Sequence, residues 1–159
     1  MSLFAGIYAI NNNKTINVNY IKKMNDVLSC SSEEVEIYIG KYFALLKFDF
    51  GAFEKPGYLL DEFENVTALA GEPILNIDSK ENFSRFSDLE IIKKYLVRDQ
   101  VAILNKCCGT YSICNYSKSD HRLYLATDKL GARPVYYYID ENYIYFSQYW
   151  IFYLKINFP

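Results

Sequence analysis

The sequence predicts an α+β fold, with short strands on both sides of a central helical stretch. Apolar and aromatic runs of strand length, bounded by turn residues, fill the first and last parts of the chain. Apolar residues recur at helical spacing early in the chain and again near its middle. A chain of 159 residues is long enough for one domain with a real core, and we expect residues 1–159 to form a single domain.

The first half of the chain is typical of a sheet with one helix against it. Leu3–Ile10 is apolar and runs into three asparagines, which indicates a buried first strand. The spacing then predicts a helix over 18–28, with one apolar stripe formed by Ile21, Met24, Val27 and Leu28. Two runs around Gly40 indicate a hairpin, and two shorter runs continue the β pattern. These four predicted strands are Val35–Ile39, Tyr42–Phe50, Tyr58–Leu60 and Val66–Leu69.

A second helical pattern begins at Ser87, with Ser87 as the expected N-cap and Glu90 as its capping-box partner. Its apolar face comprises Leu89, Ile92, Tyr95 and Leu96, and further helical structure is expected through Val101–Leu104. The polar stretch Asp78–Ser87 before it connects elements of one domain. Four strand-like runs then follow: Thr110–Asn115, Arg122–Thr127, Val135–Ile139 and Tyr143–Ser147.

Composition excludes several functional classes. The formal net charge is -2 and half of the residues are apolar, so neither a disordered chain nor a nucleic-acid surface is indicated. No apolar run approaches the roughly 20 residues that span a bilayer, so we expect no membrane partner. Four cysteines without Cys-x-x-Cys spacing and a single histidine favour buried free thiols in the cytoplasm, with no metal site and no cofactor.

The most specific motif is the stretch 128–137, Asp-Lys-Leu-Gly-Ala-Arg-Pro-Val-Tyr-Tyr, which is followed by Tyr-Phe-Ser at 145–147. Gly131 permits a tight turn, and Pro134 fixes the entry of the next strand. Taken alone, Asp128, Gly131, Arg133 and Pro134 indicate a structural turn. The motif also resembles the asparagine synthetase pattern Asp-x-x-Gly-x-Lys/Arg-Pro-Leu-Tyr-Tyr followed by Phe-Ala-Ser.

Weaker matches to the same family occur in order along nearly the whole chain. Residues 109–113 resemble its Gly-x-Phe-Ala-Phe strand, residues 87–90 its Ser-Asp-Thr-Glu helix start, and residues 1–7 its Met-Cys-Gly-Ile-Ala-Gly-Ile beginning. The resemblance implies a glutaminase domain, that is, a class II glutamine amidotransferase of the N-terminal-nucleophile type. Its fold would be an αββα sandwich of two antiparallel sheets between helix layers.

The same resemblance implies that the glutaminase chemistry is lost. Working members remove the initiator Met and attack glutamine with an N-terminal Cys, where this chain has Ser2. Serine is a permitted nucleophile in the wider class, but its hydroxyl is far less ionised than a thiol. Leu3 replaces a glycine and is expected to crowd the site. Ala70 replaces the Asn that helps to stabilise the oxyanion, and loss of one such donor costs on the order of 10²- to 10³-fold in rate.

Three residues match ligand-holding positions of the family. Gly71 and Glu72 lie where the family has Asn-Gly-Glu, and Glu72 and Asp88 match the acids that hold the substrate α-amino group. Each acid also has a structural explanation, since Asp88 suits a helix N-terminus and Glu72 suits a solvated strand end. No arginine clearly matches the one that grips the substrate carboxylate; Lys47 is the nearest candidate.

Three functions remain open at this point. The leading one is a degenerate scaffold, as in β-lactam synthetases and lasso-peptide cyclases, that partners an ATP-binding synthetase-like domain or chain and helps to position a peptide or amino-acid substrate. The synthetase loop Ser-Gly-Gly-x-Asp-Ser does not occur in this sequence. The alternatives are an active amidohydrolase with Ser2 as nucleophile, and an amino-acid sensor that uses Glu72 and Asp88. The apolar stretch 149–158 either docks a partner or packs on its own domain.

Overall fold

The computed structural model describes residues 2–28, 34–49, 56–75, 84–96, 98 and 100–150. These residues form two antiparallel sheets, two α-helices and one 3-10 helix, which confirms the α+β class. The chain divides into two compact units. The first comprises residues 1–50 and 135–159, and the second comprises residues 51–134. The single domain and its layered αββα arrangement stay predictions.

The strands and helices follow the predicted order along the chain. The first unit holds β1 (Ser2–Ala9), α1 (Val18–Leu28), β2 (Glu34–Ile39), β3 (Phe43–Asp49), β8 (Tyr136–Ile139) and β9 (Tyr143–Ser147). The second unit holds β4 (Tyr58–Leu60), β5 (Val66–Leu75), α2 (Arg85–Leu96), the 3-10 helix (Val101–Lys106), β6 (Cys107–Ser117) and β7 (Arg122–Thr127).

In the first unit, β1 lies at the centre of a five-stranded sheet of order β2-β3-β1-β9-β8. Its partners come from opposite parts of the chain, since β3 precedes the second unit and β9 follows it. Helix α1 buries Ile21, Met24 and Leu28 against one face of this sheet, among residues that include Ala5 and Ile7. The buried first strand, the helix over 18–28 and the hairpin of β2 and β3 are therefore confirmed.

In the second unit, the four-stranded sheet has the order β4-β5-β6-β7. Its longest pairing joins β5 to β6 over the whole length of β5. Helix α2 buries Leu89, Ile92 and Leu96 against one face, where they meet Leu69 and Ile113. The apolar face predicted for this helix is confirmed, with Tyr95 partly buried at its margin.

The predicted start of the second helix is wrong. Helix α2 begins at Arg85, and the hydroxyl oxygen of Ser84 accepts a hydrogen bond from the backbone N–H of Ser87 at 3.2 Å. Ser84 therefore caps the helix, and Ser87 lies in its first turn. Glu90 does not close a capping box with Ser87, because its carboxylate pairs with Lys93 at 2.9 Å. Ser84 and Ser87 both suit an N-cap position, and in the structure Ser84 occupies it.

Strand β5 is longer than predicted, since it continues past Leu69 to Leu75. Pro73 lacks a backbone N–H, but β4 pairs only with Val66–Ala68, so one side of β5 has no described strand partner at Pro73. A missing donor is tolerated at such a position.

The thiols only partly match the prediction. Cys107 and Cys114 are buried and free, whereas Cys108 is exposed on the neighbouring position of the same strand. Side chains alternate between the two faces of a strand, so adjacent cysteines there cannot share one environment. Cys30, Phe50, the stretch 78–83 and the apolar stretch beyond Trp150 lie outside the described residues. No helix in the described part of the chain is long and apolar enough to cross a bilayer.

Candidate functional site

Ser2 begins β1 and is only 1 % exposed. It lies opposite Asp49 of β3, whereas the pairing of β1 with β9 begins only at Ala5. Alternation along the strand places Ser2 on the same face as Phe4, away from the face that packs against α1. A buried hydroxyl at the start of a central strand is well positioned in space, but it needs a base to become a nucleophile.

Leu3 faces the other way. Its side chain packs against the α1 core cluster, together with Ala5 and Ile7. The crowding expected from Leu3 therefore does not fall on the face that carries Ser2, because successive side chains point to opposite faces of a sheet. Leu3 has a packing role in the first unit.

Lys47 shares a face with Ser2. It lies on β3 opposite Phe4, one alternate position along from Asp49, and is only 2 % exposed. Diagonal neighbours of this kind are about 7–8 Å apart and within reach of a long side chain. The first unit thus brings together Ser2, Lys47 and Asp49 on one sheet face. A lysine is rarely buried to this extent in proteins unless it is paired. The burial of Lys47 therefore supports its choice as a candidate site residue.

Gln148 is a site residue that the sequence did not reveal. Its side-chain oxygen accepts the backbone N–H of Phe4 at 2.9 Å, and its own backbone N–H donates to the Phe4 carbonyl at 3.2 Å. These bonds clamp the main chain two residues from Ser2. The only signal in the sequence is its position directly after the motif residues 145–147.

Ala70, Gly71 and Glu72 occupy successive positions on β5 in the second unit. Ala70 is buried opposite Ser112 on β6, and its methyl group offers no hydrogen bond to a developing oxyanion. Glu72 is exposed opposite Thr110, and its carboxylate makes no hydrogen bond to any described residue. The structure therefore places Glu72 as a solvated side chain within the strand rather than at its end.

Gly71 is required by its surroundings. Its φ of 88° lies in the left-handed region, and an added Cβ would collide with the backbone oxygen of Thr110. The same Cβ would lie 2.6 Å from Nε of Arg133. The side chain of Arg133 thus lies directly over the Gly71 backbone, which joins the Ala70–Glu72 segment to the 128–134 motif. The sequence did not predict this contact.

Asp128 organises the turn that presents Arg133. Its carboxylate accepts backbone N–H groups of Leu130 at 3.0 Å, Ala132 at 3.2 Å and Arg133 at 3.2 Å. Gly131 has a φ of 64°, as expected for a tight turn. Ser112 then donates its hydroxyl proton to the carbonyl of Arg133. The turn is thereby fixed to the strand that pairs with Ala70.

The hydrogen bonds to Asp128 also control its ionisation. Burial by itself would raise the pKa of the Asp128 carboxyl, but the backbone N–H donors outweigh burial and hold the pKa below its ordinary value. The carboxylate is therefore ionised at neutral pH, and it serves as the anionic centre of the turn.

Asp88 belongs to the second unit, as does Glu72. It is 9 % exposed in the first turn of α2. Burial is the main factor that raises the pKa of the Cys107 thiol to about 11, and the negative charge of Asp88 acts in the same direction.

Comparison with known proteins identifies the family. The family model described as glutamine amidotransferase domain matches residues 71–150, which are 80 of the 159 residues. The match covers Gly71, Glu72, Asp88 and the whole turn from Asp128 to Pro134, whereas Ser2 and Ala70 precede it. A search of curated proteins finds no match to the chain. Because the matched region spans half of the sequence and holds the frame built by Gly71, Arg133 and Asp128, the chain belongs to the glutamine amidotransferase domain family.

Proposed function

We propose that this chain is a glutaminase-type domain of the asparagine synthetase family that has lost hydrolysis and serves as a scaffold. In this role it positions a peptide or amino-acid substrate for an ATP-dependent amide-forming partner, a synthetase-like domain or chain. The frame of Gly71, Arg133 and Asp128 is kept intact, while the residue beside it, Ala70, offers no donor. The observation that carries this proposal is that Ala70, at the position where the resemblance implies a catalytic Asn, directly precedes this ordered frame.

The energetics support loss of turnover. Amide hydrolysis through a tetrahedral intermediate needs hydrogen-bond donors where the oxyanion forms, and a methyl group supplies none. The replacement of a thiol by the hydroxyl of Ser2 acts on the same step, because the hydroxyl is almost wholly un-ionised near neutral pH. Effects of residues that act on one step are not additive, so the two losses together need not multiply. Both act against turnover, and loss of one oxyanion donor alone costs on the order of 10²- to 10³-fold in rate.

The first test combines intact mass with ammonia release from glutamine. We expect no ammonia release above the Ser2→Ala variant, whether or not Met1 has been removed. The double variant Ser2→Cys/Ala70→Asn introduces the thiol nucleophile and the oxyanion donor that the resemblance implies. Ammonia release by this variant would show that the remaining residues can support hydrolysis. Ser119→Ala, an exposed serine in the turn after β6, is the matched control. Ammonia release by the wild type that depends on Ser2 would overturn the proposal.

The second test addresses the scaffold role directly. Co-purification and analytical ultracentrifugation with an ATP-binding synthetase-like chain should detect a complex. Absence of any such complex would remove the scaffold role even if the domain proves inactive.

An active amidohydrolase is the second candidate function. The observation that favours it is the shared sheet face of Ser2, Lys47 and Asp49, which places a buried amine near a buried hydroxyl. Lys47 could then assist Ser2 or hold a substrate carboxylate. If the chain is an amidohydrolase, the single variants Lys47→Met and Ser2→Ala should each abolish turnover. If it is a scaffold, the wild-type protein has no turnover for either variant to remove.

A further inference from the structure

A cleft of about 480 Å³ lies in the second unit, between α2 and the turn that joins β4 to β5. Its size falls within the range of ligand-binding pockets. None of the candidate site residues lines it. The lining includes Asp61 and Phe63 from the turn, Glu90, Ile91 and Lys94 from α2, and Arg98 just beyond the helix.

The turn holds an aromatic ring in solvent. Phe63 is 67 % exposed, although the turn around it is well fixed. The carboxylate of Asp61 accepts the backbone N–H of Phe63 at 2.9 Å, and it accepts both the backbone N–H and the side-chain amide of Asn65 at 2.8 and 2.9 Å. An ordered turn that keeps a phenylalanine exposed forgoes apolar burial, which a bound partner would recover.

Among the described residues, three cations and two acids line the cleft, so its lining has a positive balance. Glu90 is engaged with Lys93 at 2.9 Å, and the carboxylate of Asp61 is occupied by the donors of its own turn. Lys94 and Arg98 are exposed and form no ion pair with any residue that the structure describes. The negative end of the helix dipole accounts for a lysine in the last turn of α2. It does not account for the exposed ring next to these two cations.

We propose that this cleft binds a short acidic segment of a partner protein. An apolar side chain of that segment contacts Phe63 and Ile91, while carboxylates on either side of it pair with Lys94 and Arg98. The whole chain carries a formal net charge of -2, so an acidic segment gains no general attraction to this protein and must rely on the local cations. This inference does not depend on whether the domain hydrolyses glutamine.

Fluorescence anisotropy with the whole protein tests the proposal. The probe is a short fluorescein-labelled peptide with glutamates on both sides of one leucine. We expect saturable binding that weakens by about tenfold or more in Lys94→Glu and in Arg98→Glu, which corresponds to roughly 1.4 kcal/mol. Phe63→Ser should also weaken binding. All three side chains are exposed, so the folded state should persist, and circular dichroism verifies it.

Lys22→Glu is the matched control, because Lys22 is an exposed helical lysine in the other unit. It changes the net charge by the same amount and should alter affinity by less than about twofold. The proposal is overturned if Lys22→Glu weakens binding as much as Lys94→Glu, if a glutamine version of the peptide binds equally well, or if the wild type does not bind. Ammonia release is measured in parallel and should not change, so this result stands apart from the test of hydrolysis.

Discussion

At the scale of single residues, Gly71 and Gly131 are two of the three described glycines with positive φ, and they adopt it in different surroundings. Gly131 has open space around it, since an added Cβ would meet nothing within 4 Å. Gly71 is enclosed by the Thr110 carbonyl and the Arg133 side chain. One glycine is therefore needed only for its backbone conformation, and the other is needed for conformation and for space.

This difference predicts unequal costs of alanine substitution. Gly131→Ala should lower the free energy of unfolding by about 1–2 kcal/mol, the cost of a left-handed conformation for an L-residue. Gly71→Ala should cost more, because it adds a collision with backbone that typically costs a further 1–3 kcal/mol or so. Urea unfolding of both variants measures the difference, and equal losses would show that Arg133 and Thr110 move aside freely.

Asp128 gives the turn a defined pH dependence. Folding lowers the pKa of Asp128, so its contribution to stability is fully present above the ordinary value of 3.8 and is lost as the pH falls through the lower value in the folded state. Asp128→Asn keeps the shape but removes the charge, and we expect a loss of about 1–3 kcal/mol at neutral pH.

The matching measurement is urea unfolding of wild type and Asp128→Asn from neutral pH down to about pH 3. The difference in free energy of unfolding between the two proteins should stay constant at pH values above the ordinary pKa range of carboxyl groups. It should become smaller at pH values below that range. A gap that persists unchanged in acid would mean that shape, and not charge, makes Asp128 important.

At the scale of elements, the start of α2 offers a direct comparison between two serines. Ser84 accepts the Ser87 backbone N–H, so Ser84→Ala should lower the free energy of unfolding by about 1 kcal/mol. Ser87→Ala removes no cap and replaces serine by a better helix former in the first turn, so it should be neutral or slightly stabilising. Thermal unfolding of the two variants measures this difference in stability. If Ser87→Ala is the less stable variant, Ser87 and not Ser84 is the N-cap.

Most elements could be predicted because their signals are local. The stripe of Ile21, Met24 and Leu28 defines α1 without reference to the rest of the chain. The boundaries failed where a local signal was ambiguous. Ser84 and Ser87 both suit a cap, and Pro73 argues against a strand unless one side of that strand is open.

At the scale of the whole molecule, strand position within each sheet determines local stability. β1 is hydrogen-bonded on both sides, whereas β8 is at the edge of the same sheet and its residues are exposed. Backbone amides of residues 5–8 should therefore exchange with deuterium at least about tenfold more slowly than those of residues 136–139, after correction for intrinsic rates. Similar protection in both strands would show that the edge of β8 is covered in solution.

The sequence by itself determined the fold class, the order of the elements and the family motif at 128–134, since each depends on side chains close together along the chain. It also named Ser2, Ala70 and Lys47 as residues to examine. Tertiary structure alone decided that β1 pairs with β9, although all of residues 51–134 lie between them in the sequence. It also decided that Lys47 shares a sheet face with Ser2 and that the Arg133 side chain lies over the Gly71 backbone. These relations depend on strand register and on long-range packing, because only the pairing of distant segments decides which side chains meet.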